Sequence, residues 1–178
     1  MIDFDALRRD IRIAAEATFA DLEARYPGEV CGYALYSDSS GITVCCAANT
    51  RYQLAAAQAR YPDAAEMCRW SPAEWGYEGI GGTVFGPLSK RLYAHWSACL
   101  DDTGFDGGFD ADAFRNEVYE ACVATLESLA REGFFGGPDS DGGRDSVVVF
   151  VVSDDEDDAR DRRWIQRLNP PGLARSYR

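Results

Sequence analysis

The segment from Ser146 to Val152 constrains the fold of this chain more than any other part of its sequence. It reads Ser-Val-Val-Val-Phe-Val-Val, so every residue after the serine is apolar and most are β-branched. A strand with one face in water alternates apolar and polar side chains, whereas this segment offers apolar side chains to both faces. We therefore predict that residues 146–152 form the central strand of a sheet and are buried on both faces.

Two earlier segments predict a β-hairpin in the same sheet. Val30 to Tyr36 is rich in residues that favour strands, and Ile42-Thr43-Val44 is a second β-branched run. Between them, Asp38-Ser39-Ser40-Gly41 supplies turn residues. We expect the hairpin to cover about residues 30–47, and the sheet to be small and mainly antiparallel.

Apolar residues spaced three and four apart predict long amphipathic helices. We expect one from about Asp3 to Arg25, a second from about Val84 to Leu100, and a third that ends near Gly133. Shorter helices are expected after Thr50 and around Trp164. Together these elements predict an α+β fold, in which the small sheet packs against the long helices.

The length and the composition predict one domain. The chain has 178 residues, 46% of them hydrophobic, and its sequence contains no internal repeat or linker. A chain of this length buries about two-thirds of its unfolded surface, which is enough for one core. We therefore expect a single domain over residues 1–178.

The charge of the chain is strongly negative and limits its partners. The 30 acidic and 18 basic side chains give a formal net charge of -12. Such a charge repels phosphate backbones, so we expect no nucleic-acid partner. The same field would raise the rate at which the protein meets a basic protein, and salt would weaken that effect.

The sequence predicts a cytoplasmic protein, because no segment approaches the roughly 20 apolar residues of a membrane-spanning helix. The start, Met1 to Asp5, also lacks the basic and apolar regions of a secretory signal. In a reducing cytoplasm a free cysteine behaves as a small hydrophobe. We expect reduced core residues at Cys31, Cys45, Cys46, Cys68, Cys99 and Cys122.

The segment from Trp70 to Tyr77 offers two interpretations. Trp70, Glu74, Trp75 and Tyr77 would suit a binding surface, because tryptophan and tyrosine supply large, rigid contact areas. Alternatively, the two tryptophans hold a helix start in place, while Ser71 and Glu74 form a capping box around Pro72. We prefer the second interpretation because it explains every residue type, but exposure of both rings would favour the first.

Other candidate sites have simple structural explanations. His95 is the only histidine, and its distance from any cysteine cannot be read from the sequence. The adjacent pair Cys45-Cys46 points to opposite faces of a strand, which does not suit zinc. The acidic run from Ser153 to Asp158 fits a solvated helix start, and Asp139 to Asp145 fits a turn. We therefore predict no catalytic residue, no metal and no cofactor.

Four segments follow the first amphipathic helix in a recognisable order: Tyr33 to Asp38, Ala47 to Thr50, Arg69 to Trp75, and Glu132 to Gly136. In this order they resemble a bacterial domain-of-unknown-function family, number 4303, over nearly the whole chain. Arg69 to Trp75 is the most specific segment, because two tryptophans bracket a capped helix start. The resemblance implies no assigned reaction, but it implies an immunity-type role in which the protein neutralises a toxin.

Two functions of different class remain open from the sequence. The first is a non-enzymatic interaction protein, similar to an immunity protein or antitoxin, whose acidic surface masks a basic protein. The second is a small enzyme of unknown chemistry, with a pocket near Trp70, Glu74 and Trp75. We favour the first, because no residue in the sequence is obliged to perform a reaction.

Overall fold

A four-stranded mixed sheet forms the centre of the computed structural model, which describes residues 2–103, 108–136, 145–155 and 157–177. The strands are β1 (Val30–Ser37), β2 (Cys45–Thr50), β3 (Tyr77–Ile80) and β4 (Val147–Val152). Their order is β3-β2-β1-β4. The pairs β1–β2 and β2–β3 are antiparallel, and β1–β4 is parallel. The predicted α+β fold with a mainly antiparallel sheet is therefore confirmed.

Helices occupy most of the other described residues. They are α1 (Phe4–Arg25), α2 (Arg51–Arg60), α3 (Ala65–Trp70), α4 (Gly82–Thr103), α5 (Ala111–Arg131), α6 (Asp158–Leu168) and α7 (Pro171–Ala174). The three long helices predicted from apolar spacing are present as α1, α4 and α5. Among the described helices, none combines the length and the apolar composition needed to cross a lipid bilayer.

The larger core lies between one face of the sheet and helices α1, α4 and α5. Alternate residues of the strands, including Leu35, Ala48 and Phe150, point into this core and are fully or almost fully buried. Each long helix contributes one apolar stripe, as its spacing predicts. This helical layer covers one face of the sheet. A different set of residues covers the opposite face.

The opposite face of the sheet carries a smaller core built on small side chains. Ala34 of β1 and Ala47 of β2 leave a shallow surface, and the rings of Trp70 and Trp75 pack there. A Cβ atom on Gly32 would lie 3.0 Å from two ring atoms of Trp75, so the indole rests directly on the glycine backbone. The small residues thus allow two tryptophans to cover this face.

The prediction that residues 146–152 form the central strand was wrong. Strand β4 pairs only with β1 in the described sheet, so it lies at the edge. It is nevertheless buried on both faces, because α6 contributes side chains to the cores on both sides of the sheet. Trp164 and Leu168 pack in the larger core, and Ile165 packs in the smaller one. The apolar run therefore indicates that the strand is buried on both faces. A helix that covers an edge strand can provide this burial, as neighbouring strands would.

The second hairpin strand begins later than predicted, at Cys45, and extends to Thr50. The reason is Asp38, whose carboxylate accepts hydrogen bonds from the backbone N–H groups of Ser40 and Ile42 and from the Thr43 hydroxyl. These bonds hold residues 38–43 in a loop. Strand β3 was not predicted, because the glycines at its end indicate a turn in the sequence. In the structure, Gly79 and Gly81 do have positive φ angles.

No disulfide joins the six cysteines, and their reduced state in the cell stays a prediction. Cys31, Cys46, Cys68 and Cys122 are buried, as expected for core residues, whereas Cys45 and Cys99 are half-buried. Most of the predicted turn at residues 139–145 lies outside the described residues, as does Glu156 of the acidic run.

Candidate functional site

The four predicted binding residues do not form one exposed aromatic surface. The side chains of Trp70 and Trp75 are only 5% and 6% exposed, because both pack in the smaller core. Tyr77 is half-buried at the start of β3, and Glu74 is exposed. Since the rings face the sheet, the structure favours the interpretation in which the tryptophans hold this segment on the fold. A binding role for these residues remains a prediction.

The capping box predicted at Ser71 to Glu74 is not formed. Residues Pro72–Glu74 make a single 3-10 turn, and the Ser71 side chain forms no capping hydrogen bond. The turn closes through backbone bonds from Glu74 N to Ser71 O and from Trp75 N to Pro72 O. A longer helix is impossible here, because Trp75 must reach the core and β3 begins two residues later.

A concave surface with a volume of about 1000 Å³ lies beside α3. We call it the α3 groove; it is lined by residues 62–67, residues 70–73, residues 151–153, Tyr36, Glu78 and Tyr177. The lining therefore comes from the turn before α3, from α3 itself, from the ends of β1 and β4, from β3 and from the C-terminal segment. Clefts of this size hold small molecules or short peptide segments.

The α3 groove is acidic. Asp63, Glu66 and Glu78 line it and are exposed, whereas its lining includes no lysine or arginine. No ion pair joins any of the three carboxylates to another described residue. Like charges that share one groove without counterions create a negative potential there, which attracts a cation.

Most of the other residues that line the α3 groove are apolar or aromatic. The side chain of Met67 is 55% exposed, and Pro62 and Val151 add further apolar surface. The ring of Trp70 packs edge-on against Tyr177, with 5.7 Å between the ring centroids. The groove therefore combines negative charge with apolar contact area, a combination that suits a cation carried on an aliphatic stem.

Tyr36 closes one part of the α3 groove in its neutral form. Burial raises the pKa of its hydroxyl to about 12, and the hydroxyl forms a hydrogen bond with the Cys45 thiol. Burial also raises the pKa of Cys45 itself. At neutral pH both groups therefore stay protonated, and neither supplies an anionic nucleophile to the groove.

The Trp70 indole carries an unsatisfied donor next to this groove. Its Nε1–H is buried without an acceptor among the described residues, as is the Nε1–H of Trp75. The side-chain amide oxygen of Asn49 accepts hydrogen bonds from the backbone N–H groups of Thr50 and Gly76. Each buried donor left unpaired costs about 1–3 kcal/mol, so both rings are held by packing rather than by hydrogen bonds.

His95 and Cys99 meet on one side of α4, a contact that the sequence alone did not reveal. The Cys99 sulfur lies 3.6 Å from His95 Nε2. Burial lowers the pKa of His95, which favours the uncharged imidazole at neutral pH. A reactive thiolate is usually stabilised by a protonated histidine, so this environment does not activate the thiol. Neither residue lines the α3 groove.

A second concave surface, of about 590 Å³, is lined by four arginines. Arg160 pairs with Asp155 and Asp161 and lies over the ring of Trp164, and Arg167 pairs with Glu120 and Glu127. Asp155 and Glu120 also line this cavity. Because carboxylates partner Arg160 and Arg167, we interpret these two arginines as part of an ion-pair network between α5 and α6.

Sequence reasoning missed the three acids of the α3 groove. Asp63 and Glu66 lie three residues apart, so both point to one side of a short helical segment, and this spacing was a usable signal. Glu78 gave no signal, because β3 was not predicted. Within the described residues, no group of three or more His, Cys, Asp or Glu side chains is arranged to hold a metal ion.

The comparisons with known proteins identify a family but no function. No curated protein and no solved structure matches the chain. One family model matches residues 11–170, which is most of the chain, and its description is domain of unknown function (DUF4303). The chain therefore belongs to the DUF4303 family.

Proposed function

We propose that this protein is a non-enzymatic binding protein of the bacterial cytoplasm that captures a basic protein partner through the α3 groove. The observation that carries the proposal is the charge of the groove: three exposed carboxylates line it, and no lysine or arginine does. A partner that brings a positive charge to this groove would meet carboxylates that form no ion pair with a described residue, although the chain's own Arg162 lies over Tyr177 in the same lining.

The charge of the whole chain supports the same partner class. A formal net charge of -12 steers a basic protein toward this surface and repels an acidic one. Steering acts on the association rate, while the apolar residues of the groove supply the contacts that hold the complex together. The proposed consequence is blockade, in which the bound protein covers the basic surface of its partner. This is the immunity-type role that we expected from the resemblance to the domain-of-unknown-function family.

The alternative, a small enzyme with a pocket near Trp70, Glu74 and Trp75, has less support. Trp70 lines the α3 groove, but Glu74 is exposed and does not line it, and Trp75 is buried on the sheet. A catalytic carboxylate is usually enclosed in a cleft together with other polar groups. Tyr36 lines the groove, and both its hydroxyl and the Cys45 thiol that it contacts stay protonated at neutral pH.

Affinity capture tests the proposal. The tagged full chain is used as bait in extract of the native host, at low ionic strength and at about 0.15 M salt. The captured protein is then identified, purified and titrated against the chain. We expect a partner with net positive charge whose Kd rises with salt. Recovery of no partner at either ionic strength, or of an acidic partner only, would contradict the proposal.

A further inference from the structure

We infer that the α3 groove takes a short linear segment of the partner, anchored by one arginine or lysine that lies between apolar residues. This inference rests on the proposed function and specifies what occupies the groove. It concerns the mode of recognition, which is a peptide segment in a groove rather than two folded surfaces in contact.

The arrangement of the carboxylates favours a long cationic side chain over a metal ion. Asp63 and Glu66 belong to the turn before α3 and to α3, whereas Glu78 belongs to β3. No three acidic groups among the described residues are close enough to share one metal ion. An ammonium or guanidinium group has several hydrogen-bond donors and can donate to carboxylates that lie on separate elements.

The apolar lining favours a peptide over a simple polyamine. Met67 is 55% exposed although it is one of the largest apolar side chains of the groove, and Pro62 and Val151 lie in the same lining. Methionine adapts its shape to different apolar partners. Covering this surface requires apolar groups on both sides of the cation, which leucine or valine neighbours in a peptide would supply.

The chain already shows how this region accommodates a guanidinium group. Arg162 lies over the ring of Tyr177, with its guanidinium carbon 5.7 Å from the ring centroid. Tyr177 also lines the α3 groove. Two hydroxyl groups in the lining, those of Ser71 and Ser153, are available for the backbone of an entering peptide.

The size of the α3 groove limits the length of the segment. A volume of about 1000 Å³ lies at the upper end of the range for small-ligand clefts. A folded domain could reach the lining only with a protruding loop or terminus. The groove therefore fits a few residues of extended chain.

Short fluorescein-labelled peptides test this inference by fluorescence anisotropy. Three peptides share glycine-serine flanks and carry Leu-Arg-Leu, Leu-Gln-Leu or Gly-Arg-Gly at the centre. We expect Leu-Arg-Leu to bind at least about tenfold more tightly than either control, a difference equivalent to about 1.4 kcal/mol. Equal binding of Leu-Arg-Leu and Leu-Gln-Leu would overturn the inference, as would equal binding of spermine and Leu-Arg-Leu.

Two charge-matched double variants locate the peptide. Glu66→Gln with Glu78→Gln removes two carboxylates from the α3 groove, whereas Glu29→Gln with Glu117→Gln removes two exposed carboxylates elsewhere. We expect the groove variant to weaken Leu-Arg-Leu binding by about tenfold, and the control variant by less than about twofold. Equal loss in both variants would mean that net charge alone attracts the peptide, and the inference would be wrong.

This test separates the inference from the proposed function. If the peptides show no preference but the captured basic partner binds the groove variant more weakly than the control, the proposed function stands and the linear-segment inference fails. If no basic partner is captured, the proposed function itself fails.

Discussion

Gly32 determines how the tryptophans reach the sheet, and through them where the groove forms. A Cβ atom at this position would lie 3.0 Å from Trp75 and 3.2 Å from the Cβ of Asn49. A methyl group at this position would force the indole to shift by a few tenths of an ångström. Because Trp70 and Trp75 bracket the 3-10 turn, their position on the sheet fixes one side of the α3 groove.

We predict that Gly32→Ala destabilises the protein by about 1–3 kcal/mol, because the methyl group overpacks a site that is already in contact. Urea unfolding followed by tryptophan fluorescence measures the change. Gly172→Ala is the matched control: nothing lies within 4 Å of the added methyl group, so its effect should stay within about 0.5 kcal/mol. Similar unfolding midpoints for the two variants would show that Trp75 does not rest on Gly32.

At the scale of elements, α6 makes an edge strand behave like an interior one. The Asn169 side chain accepts a hydrogen bond from Val148 N at 2.9 Å and donates one to Val148 O at 2.6 Å. It thereby takes the place of a neighbouring strand at this position. Its helix also covers both apolar faces of β4 through Trp164 and Ile165. An exposed apolar edge would otherwise be open to aggregation.

We predict that Asn169→Ala costs about 1–3 kcal/mol for each of the two backbone groups it leaves unpaired, because both are buried. Urea unfolding gives the total, and amide hydrogen exchange at Val148 should become faster. Asn116→Ala, at an exposed position, is the control and should change stability by less than about 0.5 kcal/mol. Unchanged exchange at Val148 would contradict the assigned role of Asn169.

The ion pair between α1 and α5 should make stability depend on pH. The Arg12 guanidinium donates to the Glu132 carboxylate at 2.7 Å and lowers the pKa of Glu132 from 4.5 to about 2. A lowered pKa in the folded state adds stability above pH 4.5, and this contribution disappears as the pH falls toward 2. Glu132→Gln should therefore be less stable than the wild type at pH 7 but not at pH 2.

Urea unfolding of both proteins across this pH range checks the prediction. Glu127→Gln, on the same helix, provides the comparison for the loss of a carboxylate that pairs with Arg167 instead. A difference between the wild type and Glu132→Gln that stays constant from pH 7 to pH 2 would show that the bond to Arg12 does not lower this pKa.

At the scale of the whole molecule, charge and shape act on different steps of binding. The net charge of -12 acts over a distance set by the salt concentration, roughly 30 Å at 0.01 M and 8 Å at 0.15 M. The contacts in the α3 groove act only after the partner arrives. The proposed complex should therefore form faster at low salt, while its apolar contacts limit the rate of dissociation.

We predict that the association rate constant with the captured partner falls by about tenfold or more between 0.01 M and 0.15 M salt, because screening removes the steering field. The dissociation rate should change much less. Stopped-flow fluorescence of the purified pair measures both rates. An association rate that does not depend on salt would show that the net charge does not steer the partner to the protein.

Local patterns in the sequence predicted the type of individual helices and strands. The spacing of apolar residues predicted the three long helices, and the run Val147–Val152 predicted a strand buried on both faces. Strand order depends on pairing between distant segments, so the edge position of β4 was not predictable. The groove brings Asp63 and Glu66 together with Glu78, and only the fold relates these positions.

Isothermal titration calorimetry of the captured partner against two charge-matched variants tests the central claim most directly. One carries Glu66→Gln and Glu78→Gln in the α3 groove, and the other carries Glu29→Gln and Glu117→Gln outside it. We predict that the groove variant raises the Kd by about tenfold and the other variant by less than about twofold at the same salt concentration. Equal Kd values for the two variants would contradict the claim that the α3 groove binds the partner.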